Sequence, residues 1–156
     1  MRCRIYRVAA AVAAAACVFT AGCANRATGS VAADVDLSRM RSFYVVKLPA
    51  DSRGVEVLIR DNLVKRGFKA ASGPEVPDSP IEADAVVTYA DRWTWDMTMY
   101  MLELTITMKN PADNFPFATG NSYHTSLTRK SPQEMVDEVL SNIFAHASEK
   151  KAASEK

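Results

Sequence analysis

The sequence predicts an α+β domain of two layers, a mainly antiparallel sheet with two helices packed on one face, in the order β-α-β-β-β-β-α. Three observations carry that expectation. Residues Met99–Lys109 alternate strictly, with Tyr100, Leu102, Leu104, Ile106 and Met108 against Glu103, Thr105, Thr107 and Lys109, the period of a strand with one face on a core and one in water. Val55, Leu58, Ile59 and Leu63 recur at helical spacing ahead of Gly67, a residue suited to the left-handed position that ends a helix. Ser131, Pro132 and Glu134 form a helix start in front of Met135, Val139, Ile143 and Phe144. At 156 residues the chain has room for one domain with terminal extensions.

The N-terminus reads as a targeting segment. Arg2, Arg4 and Arg7 precede Val8–Ala21, an apolar run too short to span a bilayer, which needs about 20 apolar residues. The run ends Thr20-Ala21-Gly22-Cys23, small residues directly followed by a cysteine. That ending resembles the lipobox of bacterial lipoproteins, with Thr20 standing where leucine is commonest. The resemblance implies cleavage between Gly22 and Cys23 (residues 1–22 being a lipoprotein signal peptide), diacylglyceryl transfer to the Cys23 thiol and palmitate-type acylation of the new terminus. It further implies sorting to the outer membrane, because Ala24, and not aspartate, follows the cysteine; the expected location is the outer membrane, facing the periplasm, with a cell-exterior orientation left open by the sequence. The alternative reading of the same residues is ordinary cleavage at Gly22-Cys23-Ala24, releasing a soluble protein with a free thiol. Two or three buried acyl chains, each methylene contributing about 0.8 kcal/mol, would make the anchor effectively permanent.

Residues 23–36 are small and polar without periodicity and read as a flexible tether. Ser42–Leu48, aromatic and β-branched and stopped by Pro49, reads as a strand. The helix that follows is capped by Asp51 or Ser52. Phe68–Ala71 is a short strand, and Pro74, Pro77 and Pro80 make an extended connection of Ser72–Pro80. Asp84–Trp95 and Met99–Lys109 form a hairpin, Asn110–Asn114 turns, and Phe117–Leu127 completes a meander weakened at Gly120. The folded domain is expected over residues 37–148, with 149–156 a frayed tail.

Composition excludes several chemistries. The formal charge of +1 offers no pull on nucleic acid, and cleavage after Gly22 leaves 16 basic against 18 acidic groups. Cys3 and Cys17 fall in the targeting segment and Cys23 takes lipid, so no thiolate remains for a zinc site, a disulfide or a nucleophile. His124, on a strand and facing water or a neighbour, and His146, near a helix end, fit no ligand spacing. Asp91, Asp96 and Glu103 could imitate paired glycosidase carboxylates, yet any acidic hairpin would look the same. No catalytic residue, metal or cofactor is expected.

The most unusual segment is Trp93-Thr94-Trp95-Asp96-Met97-Thr98-Met99-Tyr100-Met101, which gathers both tryptophans and three of the seven methionines. Alternation places Trp93 and Trp95 on one face. Facing inward they are packing; facing outward, Trp93, Trp95, Met97 and Met99 form a binding surface. Phe43–Val46, the Lys65-Arg66-Gly67-Phe68 helix end and Ala83–Tyr89 together resemble small proteobacterial lipoproteins of unknown function, which implies an α+β envelope protein without catalytic residues. The expected function is a membrane-anchored, non-catalytic binding or accessory role toward an envelope protein. The alternative is a ligand, glycan or peptidoglycan module using Trp93 and Trp95.

Overall fold

In the computed structural model, residues 25–33, 35–75 and 82–154 are described. The signal segment, Cys23 and part of the proline-rich connection lie outside them. The domain is α+β, as the periodicities predict, with six strands among the described residues, β1 (Arg26–Val31), β2 (Ser42–Val46), β3 (Lys69–Gly73), β4 (Ala85–Asp96), β5 (Thr98–Lys109) and β6 (Pro116–Tyr123), and two α-helices, α1 (Val55–Lys65) and α2 (Pro132–Ser154). The sheet order is β1-β6-β5-β4-β2-β3. β2 runs parallel to β3 and β4, and every other pair is antiparallel.

Two expectations are corrected at the ends. The stretch read as a tether contains β1, an edge strand paired with β6 from Arg26 opposite Tyr123 to Val31 opposite Ala118. Its residues lack an apolar period because only Val31 is buried. It is held by the ladder and by α2, whose Lys150 donates to the Val31 carbonyl at 2.8 Å. The tail expected to fray from Glu149 is helical through Ser154, and Lys151 reaches Ser38 at 3.0 Å and Asp36 at 3.8 Å. Both segments are stabilised by contacts remote in sequence, which local composition does not register.

α1 begins at Gly54, in the left-handed region (φ 72°), and the cap is supplied from three residues upstream. The Asp51 carboxylate accepts the N–H groups of Arg53, Gly54 and Val55 at 2.7, 3.0 and 2.8 Å. These are donors a helix start otherwise leaves unpaired. Tyr89 of β4 donates its hydroxyl to the same carboxylate at 2.6 Å, tying the helix start to the sheet. Burial would raise the Asp51 pKa, but the Tyr89 hydroxyl and the N–H donors outweigh it and hold the carboxyl at about 2. Gly67 (φ 94°) ends the helix as expected, with Phe68 N–H returning to the Leu63 carbonyl at 3.2 Å. α2 starts on the expected capping box, Ser131 N–H to Glu134 at 2.8 Å and Glu134 N–H to Ser131 Oγ at 3.3 Å.

Both helices lie on one face. Val55, Ile59 and Leu63 of α1 and Met135, Val136, Val139, Leu140 and Ile143 of α2 meet Phe43, Val45, Val87, Leu104, Ile106 and Met108 in one core. Gly29 and Gly120 oppose each other on β1 and β6 beneath α2. A Cβ at Gly29 would stand 2.6 Å from the backbone of Asn142, so the helix sits closer than any side chain permits. The strict alternation read for β5 fails at one point: Arg92 pairs with Glu103 but Trp93 pairs with Met101, leaving Leu102 as the extra residue of a bulge. The phase inverts there. Met101 enters the core and Tyr100 turns to the opposite face.

Gly29→Ala should therefore destabilise the domain by about 1–3 kcal/mol, the usual cost of overpacking against rigid backbone. Thermal unfolding monitored by circular dichroism reads this as a lowered midpoint with an unchanged folded spectrum.

Candidate functional site

β4 and β5 extend past their neighbours. Glu103 of β5 is level with Tyr123 of β6, which is level with Arg26 of β1, so residues 98–102 continue beyond the end of the adjoining strands. At about 3.4 Å per residue the hairpin projects about 15 Å. Its turn is a single residue, Met97 (φ 56°), between the paired Asp96 and Thr98. Met97 pays backbone strain that glycine would avoid, and its side chain is 87% exposed.

The projecting end carries the residues the sequence singles out. Trp95 (69% exposed) pairs with Met99 (49%) on the helix-side face, beyond the reach of both helices. Trp93 is half-buried against the core. Its indole N–H donates to the Asp91 carboxylate and its ring lies 4.4 Å beneath the Arg53 guanidinium. The two tryptophans thus share a face yet differ in role: Trp93 is packing with one ring face occupied by a cation, and Trp95, Met97 and Met99 are surface.

The hairpin end is held in place by a residue that sequence reading passed over. Arg129 donates to Thr98 Oγ1 at 2.8 Å and to the Asp96 carbonyl at 3.4 Å, pairs with the Asp96 carboxylate at 3.8 Å and stacks over Tyr100 at 4.7 Å. It follows the Ser126–Thr128 turn, which exposes Leu127 at the same end of the molecule. The only sequence signal for Arg129 is a cation before a helix cap, which says nothing of a hairpin 31 residues earlier.

The three carboxylates do not converge. Asp91 points to the helix side beside Trp93, Asp96 sits at the tip with Arg129, and Glu103 lies on the open face, paired with Arg92 at 2.8 Å and bonded by Asn121 at 3.0 Å. His146 is exposed on α2. His124, expected on a strand facing water or a neighbour, lies just past β6 and faces a neighbour: it is buried, its Nε2 2.7 Å from Glu138 of α2. Ser122 Oγ and Lys130 Nζ donate to the same carboxylate, at 2.6 Å for Ser122. Burial alone would raise the Glu138 carboxyl; Lys130, Ser122 and His124 together bring it down to about 2. Among the described residues, no group of three His, Cys, Asp or Glu could hold a metal ion, and no helix is long and apolar enough to cross a membrane.

No protein-family model matches this chain, and no curated protein matches it. Solved structures share its fold, among them two with a TM-score above 0.5. Both are PelC dodecamers from Paraburkholderia phytofirmans: a point variant, at 14% identity and a TM-score of 0.56, covers 76% of this chain and 97% of its own. The other, at 13% identity and 0.54, covers 77% and 98%. At such identity the likeness is one of fold.

Two measurements follow from this geometry. Acrylamide should quench a red-shifted emission that disappears in Trp95→Phe and persists in Trp93→Phe. Acid titration should expose Glu138. Its folded pKa of about 2 lies below the ordinary 4.5, so the unfolded chain takes up the proton first and stability falls as pH drops through that interval. Glu138→Gln should flatten this fall, read from urea midpoints at successive pH values.

Proposed function

We propose that this chain is a lipid-anchored protein of the bacterial envelope with a non-catalytic binding or accessory role, working through protein contacts made at the β4–β5 hairpin end. The observation that carries the reading is the exposed Trp95–Met97–Met99 surface, held in fixed geometry by Arg129. Large amphipathic rings and adaptable thioethers on a rigid support are the composition of interface anchors. An accessory role in an envelope assembly also fits a fold shared with proteins that form dodecamers.

The anchor supports the same reading. Cys23, the residue the lipobox resemblance marks for lipid, lies three residues before Arg26, a span of at most about 10 Å. Arg26 stands at the hairpin end of the sheet, because β1 runs antiparallel to β6 from that end. A lipid on Cys23 would therefore present Trp95, Met97, Met99 and Leu127 toward the membrane, where the contacting protein would be another component of that membrane. Glycan recognition through paired tryptophans gains less support, since Arg53 already covers the Trp93 ring and Trp95 is left to stack by itself.

The test is in-cell photocrosslinking from positions 95 and 99 of the anchored chain, with mass spectrometry of the adducts. A discrete protein adduct that is lost together with palmitate labelling in Cys23→Ser is the expected outcome. Adducts to lipid or glycan alone, from a folded and anchored chain, would overturn the assignment to a protein partner.

A further inference from the structure

At the end of the sheet remote from the hairpin, a cleft of about 380 Å³ opens between the Leu37–Arg39 turn, the corner joining α1 to β3, and the last turns of α2. We infer that this cleft binds a small amphiphilic anion: an apolar or aromatic body carrying one sulfonate, carboxylate or phosphate group. Its volume lies in the range of small-ligand sites, about 300–1,000 Å³.

The walls are apolar and ordered. Phe68 and Phe144 stack at 5.1 Å with their planes 17° apart, and Phe43 braces Phe68 edge-on at 5.0 Å from the core side. Leu37 and Ala147 close the sides. Because the two rings stack on each other and Arg66 lies over Phe144, what they offer the cleft is apolar ring edge, which with Leu37 and Ala147 favours an apolar body over a fully hydrated one.

The rim supplies the charge. Arg41, Arg66 and Lys151 line the cleft against a single carboxylate, Asp36. Arg66 is already immobilised, its Nε on Asn62 Oδ1 at 2.6 Å and its Nη2 on Ser141 Oγ at 2.7 Å and Asp137 at 2.9 Å, with the guanidinium 5.8 Å over Phe144. Its charge is paired with Asp137, so it lines the cleft as a pre-positioned group that loses little side-chain freedom on binding. Arg41 makes no guanidinium hydrogen bond among the described residues. The nearby Asp84 spends its Oδ2 on the Arg41 N–H, the Ser42 N–H and the Ser42 hydroxyl. Asp36 is likewise engaged, accepting the Ser38 N–H at 3.0 Å with Arg39 at 3.5 Å and Lys151 at 3.8 Å. The rim is net cationic beside an apolar wall. The exposed Arg41 guanidinium offers a charge-assisted contact that a neutral ligand cannot make, and a wholly polar anion gains nothing from the apolar wall. An amphiphilic anion answers both.

The experiment is calorimetric titration of the full chain in lipid nanodiscs with naphthalene-2-sulfonate, using empty nanodiscs as the blank. Saturable one-to-one binding is expected, with the neutral isostere naphthalene-2-sulfonamide weaker by about tenfold or more, the discrimination a charge-assisted contact supplies. Arg41→Glu should weaken the sulfonate by a comparable factor, and Ala147→Trp, which fills the cleft, should abolish binding while the circular dichroism spectrum is kept. Equal affinity for the two probes, binding retained in folded Ala147→Trp, or no heat above the blank would each overturn the inference. Should Ala147→Trp fail to fold, amide shifts in the unaltered chain decide: perturbation at Gly67 and Ala147 supports the cleft, and perturbation confined to the hairpin end refutes it.

Discussion

The close seating of α2 across β1 and β6 is the constraint on which the other features depend. Where Gly29 and Gly120 oppose each other, the helix backbone comes within the space a methyl group would fill. That approach lets Val139, Leu140 and Ile143 reach the sheet, and it brings Lys150 to the Val31 carbonyl. An edge strand with one buried side chain has little hydrophobic reason to stay in place. β1 is held because the helix covers it and Lys150 fastens its far end. The domain is thereby closed by its two termini.

Polar groups inside this packing have fixed partners. Asp51 serves at once as helix cap and as acceptor for Tyr89, so the start of α1 and the middle of β4 share one carboxylate. Glu138 does the same for α2 and β6, gathering Ser122, His124 and Lys130. Each carboxylate has enough donors to outweigh its own desolvation, which is why both remain ionised far below their usual range. These pairs fix the register between helices and sheet, where apolar contacts alone would tolerate sliding.

The hairpin end has a different character. Past the last residues covered by the helices, apolar side chains continue along β4 and β5 and stay exposed among the described residues. The bulge at Leu102 decides which residues these are. By inverting the phase of β5 it turns Met101 inward and aligns Met99 with Trp95 on the helix-side face, while Tyr100 moves to the open face beneath Arg129. Without the extra residue, Tyr100 and Leu102 would have faced the core, and the exposed end would be built from other side chains.

Much of this was legible in the chain. The α+β class, the two helices, the capping box of Ser131 and Glu134, the turn at Gly67 and the position of the meander follow from period and local chemistry, which depend on residues within a few positions of one another. The Trp93–Met101 segment is also conspicuous as composition. Only the tertiary structure decided that Trp93 is packing and Trp95 is surface, because strand alternation puts both on one face and says nothing of where the covering helices end. Only it could reveal β1 and the helical continuation from Glu149 to Ser154, which are held by the β6 ladder, by Lys150 on Val31 and by Lys151 on Ser38 and Asp36, and not by their own sequences. The Leu102 bulge, the Arg129 clasp and the burial of His124 against Glu138 belong to the same class. Each rests on pairing across many residues of chain, and periodicity, a local property, carries no information about such pairs.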